Sequence, residues 1–204
     1  MRYQVQFLKL DEYLNNMAIL TYAGLGAVTL VFLFTVYYYN KIVKLENRVD
    51  TAWAQIDVQL KKRADLVPNL VETVEGYMEH ERDVMDKVSE SREKMMNAQS
   101  QQEEAEAGNQ MGEALKSLFA VAEDYPDLKA SENFEELQRE LSSIENKVAY
   151  ARQHYNDAIL EFNNSIETFP ALIFANLMNK KEKEQLQIET ADKELPEVDF
   201  SGEE

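Results

Sequence analysis

The chain holds two histidines and no cysteine, which narrows the chemistry open to it. A lack of cysteine removes disulfides, zinc-thiolate sites and thiol nucleophiles together. Neither His80 nor His154 has a glutamate three positions before it, because Tyr77 and Ala151 stand there, so the Glu-x-x-His pair of a di-iron bundle is missing. No H-E-x-x-H, glycine-rich phosphate cradle or G-x-S-x-G motif occurs. His80, flanked by Glu79 and Glu81, is expected in a solvated turn near a helix junction, and His154 on a solvated helix flank. Met78, Met85, Met95 and Met96 have the spacing of core fillers. These features predict a protein that is not an enzyme and holds neither metal nor cofactor.

One stretch still needs explaining. Residues 47–74, NRVDTAWAQIDVQLKKRADLVPNLVETV, place a proline, two asparagines and several basic side chains in what otherwise scans as one helix. Pro68 removes a backbone donor and pushes aside the carbonyl of Ala64, so a nearby donor such as Asn69 is expected to meet that oxygen.

The elements that position these groups emerge from hydropathy and period. The 204 residues carry a net charge of −17, with lysine and arginine scattered among acids, so a phosphate backbone would be repelled and nucleic acid is not expected as a partner. Residues 1–16 form an N-terminal arm that suits a membrane surface or a partner contact. Residues 17–39, MAILTYAGLGAVTLVFLFTVYYY, are uncharged and reach roughly 34 Å as a helix, enough to cross a hydrocarbon core of about 30 Å. Tyr37, Tyr38 and Tyr39 close the run as an aromatic belt. The chain is therefore expected to cross the cell (cytoplasmic) membrane once. Lys41, Lys44 and Arg48 after the span, against Arg2 and Lys9 before it, lean toward a cytoplasmic location for the C-terminal domain.

From residue 40 apolar side chains recur every three or four positions through Leu45, Val49, Ala52 or Trp53, Ile56, Leu60, Ala64, Val67, Val71, Val74 and Met78, the period of a helix with one buried stripe. No glycine or proline interrupts residues 27–67, so the membrane helix is expected to continue into the domain, with its exit at Gly76. A second helix is expected over about 79–99, fading through NAQSQQEEAEAGNQMG, which reads as helix tail or loop. A third covers about 111–123. The last runs from an Asn133–Glu136 capping box for about ten turns to Pro170.

Four amphipathic helices without strand signals predict an all-α fold, an N-terminal transmembrane helix continuing into an up-and-down antiparallel four-helix bundle over residues 40–178. An even number of helices returns FPALIFANLM, residues 169–178, to the bilayer surface. Ten residues are too few to span. Phe169, Leu172, Ile173 and Phe174 are thus candidates for an interfacial foot or an oligomer contact, or for packing at the bundle base. Residues 179–204 are acidic and poor in apolar side chains, and read as an extended tail.

YNKIVKLENRVDTAWAQIDVQLKKRADLVPNLVETVEGY (39–77) and ENFEELQRELSSIENKVAYARQHYNDAILEFNNSIETFP (132–170) closely resemble the LemA family. The resemblance covers about residues 37–199, including the closing PEVDF, and implies an antiparallel bundle behind one membrane helix. The arm is longer than in many members, and the lipoprotein-type cysteine of some members is missing. Those lipidated members would hold the bundle outside the cytoplasm. Asn47, Asp50, Asp57, Arg63 and Asn69 match family motif positions on the first helix, as do Glu145, Asn146, Arg152, Tyr155 and Asn156 on the last. They are expected to form either a buried or half-buried network that fixes helix register, since arginine offers a planar fork to carboxylates, or a surface that recognises a partner or lipid headgroup.

Three functional expectations result. The first is a non-catalytic scaffold bound to the lipid bilayer, self-associating as a homo-oligomer or organising other membrane or envelope proteins. The second is an adaptor or sensor that presents its bundle or acidic tail to a partner enzyme such as a membrane protease. The third, a hydrolase or metalloenzyme, has no motif behind it.

Overall fold

The computed structural model describes residues 2–78 and 80–186, with side chains described from Leu14 onward. Among these residues the chain forms six helices and no strand: α1 (Arg2–Glu75), α2 (Arg82–Met96), α3 (Gln101–Ala122), α4 (Pro126–Lys129), α5 (Glu132–Glu167) and α6 (Ala171–Leu177). The all-α reading holds. The closing PEVDF and most of the expected tail lie outside the described residues.

α1 is continuous for 74 residues. Its backbone takes in residues 2–16, expected as a separate arm, and it ends at Gly76, where the N–H groups of Tyr77 and Met78 turn back to the Val74 carbonyl at 2.9 and 3.0 Å. The apolar part is long enough to cross a bilayer, and its side chains are exposed. Thr21, Thr29 and Thr35 each donate their hydroxyl to a carbonyl about one turn back, those of Ala18, Leu25 and Val31. Their polar atoms therefore need no water.

α3 begins ten residues before the expected helix. Ser100 caps it, accepting the Glu103 N–H at 3.2 Å, while the Glu103 carboxylate reaches back to the Gln99 N–H at 2.9 Å, a capping-box exchange. The segment read as helix tail or loop is thus a short connection over 97–100 and helical from Gln101. α5 begins at Glu132, with the Glu135 N–H bonded to the Ser131 carbonyl, so Asn133 lies inside the first turn rather than at the cap. The helix stops at Glu167, before Pro170.

The described residues pack as two compact units, 2–47 with 161–182, and 48–78 and 80–160 with 183–186. In the second unit α1, α2, α3 and α5 bury one stripe each: Val49, Ala52, Trp53, Ile56, Leu60, Ala64, Val67, Leu70 and Val74 from α1 meet Met85, Val88 and Met95 of α2, Met111, Leu115 and Leu118 of α3, and Leu141, Ile144, Val148, Tyr155 and Ile159 of α5 in the core. Past Pro68 the buried stripe runs through Leu70, leaving Val71 half-buried. Cross-contacts give the directions. Trp53 meets Tyr155 and Arg63 meets Glu145, so α1 and α5 are antiparallel. Leu60 faces Gly108 and Arg63 faces Gly112, so α1 and α3 are parallel. The expected bundle is what forms.

In the first unit Ile42 and Leu45 of α1, Phe162 and Ile166 of α5, and Ala171 and Ala175 of α6 are buried.

Gly108 is a packing slot. A Cβ there would stand 2.9 and 3.3 Å from the two terminal methyls of Leu60, a side chain with no exposed surface, so rotating one methyl away brings the other in. Gly108→Ala gains about 1 kcal/mol of helix propensity but incurs roughly 1–3 kcal/mol of overpacking. The expected outcome is a lower thermal midpoint by circular dichroism, where an ordinary helical glycine would give a higher one.

Candidate functional site

The polar groups of the two long helices converge on one buried cation. Arg63 is 1% exposed, and its guanidinium Nη1 donates to Glu145 Oε2 at 2.5 Å. Room for it comes from α3: a Cβ on Gly112 would stand 3.1 Å from Arg63 Nη1. Gly112 lies one turn beyond Gly108, so α3 presents a bare strip to α1. Burial pulls the Arg63 pKa down, the Glu145 charge pulls it up, and Arg152 adds a lowering repulsion; the guanidinium keeps its proton in any case. Its Nε has no hydrogen-bond partner among the described residues.

Two further arginines meet backbone carbonyls. Arg92 of α2 donates through Nε to the Ala64 carbonyl at 2.8 Å. That oxygen is the one freed by Pro68, so the expected vacancy exists, but its donor is Arg92. Asn69, expected in that role, is exposed, and its backbone carbonyl accepts the Thr73 hydroxyl at 2.7 Å. Arg152 of α5 donates through Nη2 to the Ala105 carbonyl of α3 at 3.3 Å. Asn156 closes the set. Its amide Nδ2 donates to the Leu186 carbonyl at 2.8 Å and its Oδ1 accepts the Leu186 N–H at 2.9 Å. Both backbone groups of Leu186 are therefore held, and the start of the expected tail is fastened to α5.

Asp57 and Glu104 face each other between α1 and α3. The Lys61 ammonium contacts both Asp57 oxygens, at 2.7 and 2.8 Å. Burial raises the Asp57 pKa, but hydrogen bonds from Lys61 and Glu104 outweigh it and leave it below the ordinary value. Burial also raises Glu104, and here the hydrogen bond to Asp57 and the Asp57 charge add to it, pushing the pKa up to about 7.

Other expected members lie at the surface. Asn47 and Asp50 are exposed, and Asp50 has Lys183 at 3.9 Å. Asn146 is exposed and lines an open polar groove with Gln55, Gln59, Gln138, Lys147 and Tyr150. His80 is exposed, whereas His154, expected on a solvated flank, is half-buried. Met78, Met85 and Met95 fill the core, while Met96 is exposed. Of the foot candidates, Phe169, Leu172 and Ile173 are exposed, and Phe174 stacks on Tyr38 with ring centroids 5.4 Å apart.

Sequence reasoning missed Arg92, Glu104, Gly108 and Gly112. The signal for three of them was Ser100-x-x-Glu103, a capping box that starts α3 early enough to set residues 104, 108 and 112 on one face.

The sequence model of the LemA family matches residues 52–200, well over half of the chain. The chain belongs to the LemA family. Protein LemA of Metamycoplasma hominis is 26% identical over 131 residues, covering 64% of this chain and 60% of that relative. The family match begins past the apolar run and takes in most of the core of this LemA-family bundle, together with Arg63, Arg92, Arg152 and Asn156. Among its described residues no group of three or more His, Asp or Glu side chains is gathered closely enough to hold a metal ion.

Exposure differs across the central pair, with Arg63 buried and the Glu145 side chain 47% exposed. Glu145→Ala strands a buried cation and is expected to cost about 2–4 kcal/mol. Arg63→Met leaves a carboxylate that water can reach and a volume that methionine fills, so it is expected to cost under about 1.5 kcal/mol. Chemical denaturation of the two variants in detergent checks the order, and the reverse order would remove the buried-cation account.

The Glu104 pKa sets a pH dependence. Because its folded value lies above the ordinary carboxylate value, the folded state binds more protons than the unfolded state between about pH 4.5 and 7, and this group's contribution to stability falls as pH rises through that window. Glu104→Gln is expected to flatten that fall when unfolding is followed at a series of pH values; an unchanged profile would show that Glu104 titrates normally.

Proposed function

We propose that this LemA-family chain is a non-catalytic scaffold, anchored in the cell membrane by a single crossing of its apolar helix, that self-associates or organises other membrane or envelope proteins. The observation that carries the reading is how the polar residues are used. Arg63, Arg92, Arg152 and Asn156 each bond a carboxylate or backbone group of another segment, so they hold the fold rather than face a substrate. What remains for partners is the surface. The open polar groove between α1 and α5, with Tyr150 71% exposed, suits a protein contact, because tyrosine offers contact area with little loss of conformational freedom. The lysines and arginine that come after the apolar run favour a cytoplasmic bundle.

A second reading draws on the Asn156 clamp. A tail fastened at Leu186 leaves its remaining residues to be presented from a fixed point, as an adaptor for a partner enzyme requires. A truncation that tests it must start after Leu186 and spare the clamp.

The test of the scaffold is photocrosslinking in native membranes from Tyr150 and Gln138. Crosslinks to a second copy or to a reproducible membrane protein are expected from both positions. A protein that yields only monomer from every exposed groove position would remove the reading.

A further inference from the structure

α6 does not bury its large side chains. Its inward positions are Ala171 and Ala175, both nearly inaccessible, while Leu172 and Ile173 are 41% and 51% exposed and Leu177 and the preceding Phe169 are each 80% exposed. A helix that packs through alanines and turns its large apolar side chains outward reverses the pattern of a soluble surface helix. Such a contiguous patch needs a cover.

Its place in the first unit identifies the cover. Phe174 stacks on Tyr38 with the rings 7° from parallel, and Phe34 stacks on Tyr38 as well, with ring centroids 6.2 Å apart. About two turns further along α1, Lys180 holds both Glu46 oxygens at 2.6 and 2.8 Å. α6 is therefore fixed at the level where the uncharged run gives way to charged residues. The aromatic rings of Phe174, Tyr38 and Phe34 join α6 to the exposed apolar part of α1, and tyrosine is a residue that favours the membrane-water boundary.

We infer that α6 is an interfacial foot, with Phe169, Leu172, Ile173 and Leu177 inserted at the boundary between headgroups and acyl chains of the leaflet where the apolar helix ends. This rests on the membrane crossing proposed above. The alternative cover, a second copy of the chain, has nothing in its favour beyond the apolar character of the patch. The bilayer has the level set by Tyr38 and the ring stacks that tie α6 to the apolar helix there. Charge adds a property. Around the foot, residues 40–47 and 161–182 carry Lys41, Lys44, Lys180 and Lys181 against Glu46, Glu161, Glu167 and Glu182, so insertion depends on apolar area and needs no anionic lipid.

The absence of native cysteine allows a direct test on the full chain. Single variants Ile173→Cys, Leu177→Cys and Val28→Cys are labelled with an environment-sensitive fluorophore and reconstituted in phosphatidylcholine vesicles. Nitroxides at defined acyl depths and aqueous iodide serve as quenchers. The expected result is deep-nitroxide quenching at Val28, shallow-nitroxide quenching with blue-shifted emission and iodide protection at Ile173 and Leu177, and no change with salt. If Val28 is lipid-quenched but Ile173 and Leu177 are open to iodide, the foot is wrong and the crossing stands. If those two labels are shielded from both quenchers, protein covers the face and the foot is again wrong. If Val28 itself escapes the nitroxides, the membrane crossing fails and the foot with it.

Discussion

A guanidinium without access to water must have both a counter-charge and room, and in the bundle these come from different helices. Glu145 of α5 supplies the charge; Gly112 of α3 supplies the room. Placing Arg63 of α1 therefore fixes three helices at one point, in rotation and in register. Further along the same pair of helices, Trp53 meets Tyr155 edge-on at 5.4 Å, a contact that the Arg63 register permits. Hydrophobic stripes alone would tolerate slippage by a turn, because a leucine accepts many neighbours, whereas a buried cation accepts few. The other arginines extend this logic by meeting carbonyl oxygens, most clearly where Arg92 answers the gap left by Pro68.

What could be read from the sequence was what depends on local pattern. The continuity of α1, its exit at Gly76, the long last helix and the freed carbonyl under Pro68 are all consequences of period, glycine and proline. Partners across helices were not readable, since they depend on which faces meet. Asn69 is the donor expected at Ala64, but packing puts Asn69 in solvent and brings Arg92 of α2 to that oxygen. Gly108 and Gly112 misled for a physical reason. Glycine weakens an isolated helix, and the stretch ending in AGNQMG reads as helix tail or loop, yet in a packed bundle the missing Cβ is what lets Leu60 and Arg63 approach. Asn156 matched a motif position, but nothing local pointed to Leu186, thirty residues on.

The two units divide the work by solvent. In residues 48–160 one apolar stripe of each helix turns inward, and Arg63, Arg92 and Arg152 meet acceptors across helices. In the first unit the order is inverted along α6, where alanines face in and Leu172, Ile173 and Leu177 face out, and along the apolar part of α1, where threonine hydroxyls bond their own backbone. Both features fit a low-dielectric surrounding, in which unsatisfied polar atoms are costly and exposed apolar ones are not. A scaffold reading joins these halves: one set of contacts secures the bundle, another secures it to the bilayer, and the exposed groove is left for partners.

The central claim is that the Arg63–Glu145 pair serves architecture and not recognition. The most direct measurement is the photocrosslinking yield, in native membranes, of the double variant Arg63→Met/Glu145→Met, which replaces the pair by apolar side chains of similar reach while its helical circular dichroism is confirmed. The account expects a folded protein whose crosslinks to partners match those of the unmodified chain. A folded double variant that has lost those crosslinks would contradict it and make the pair part of the recognition surface.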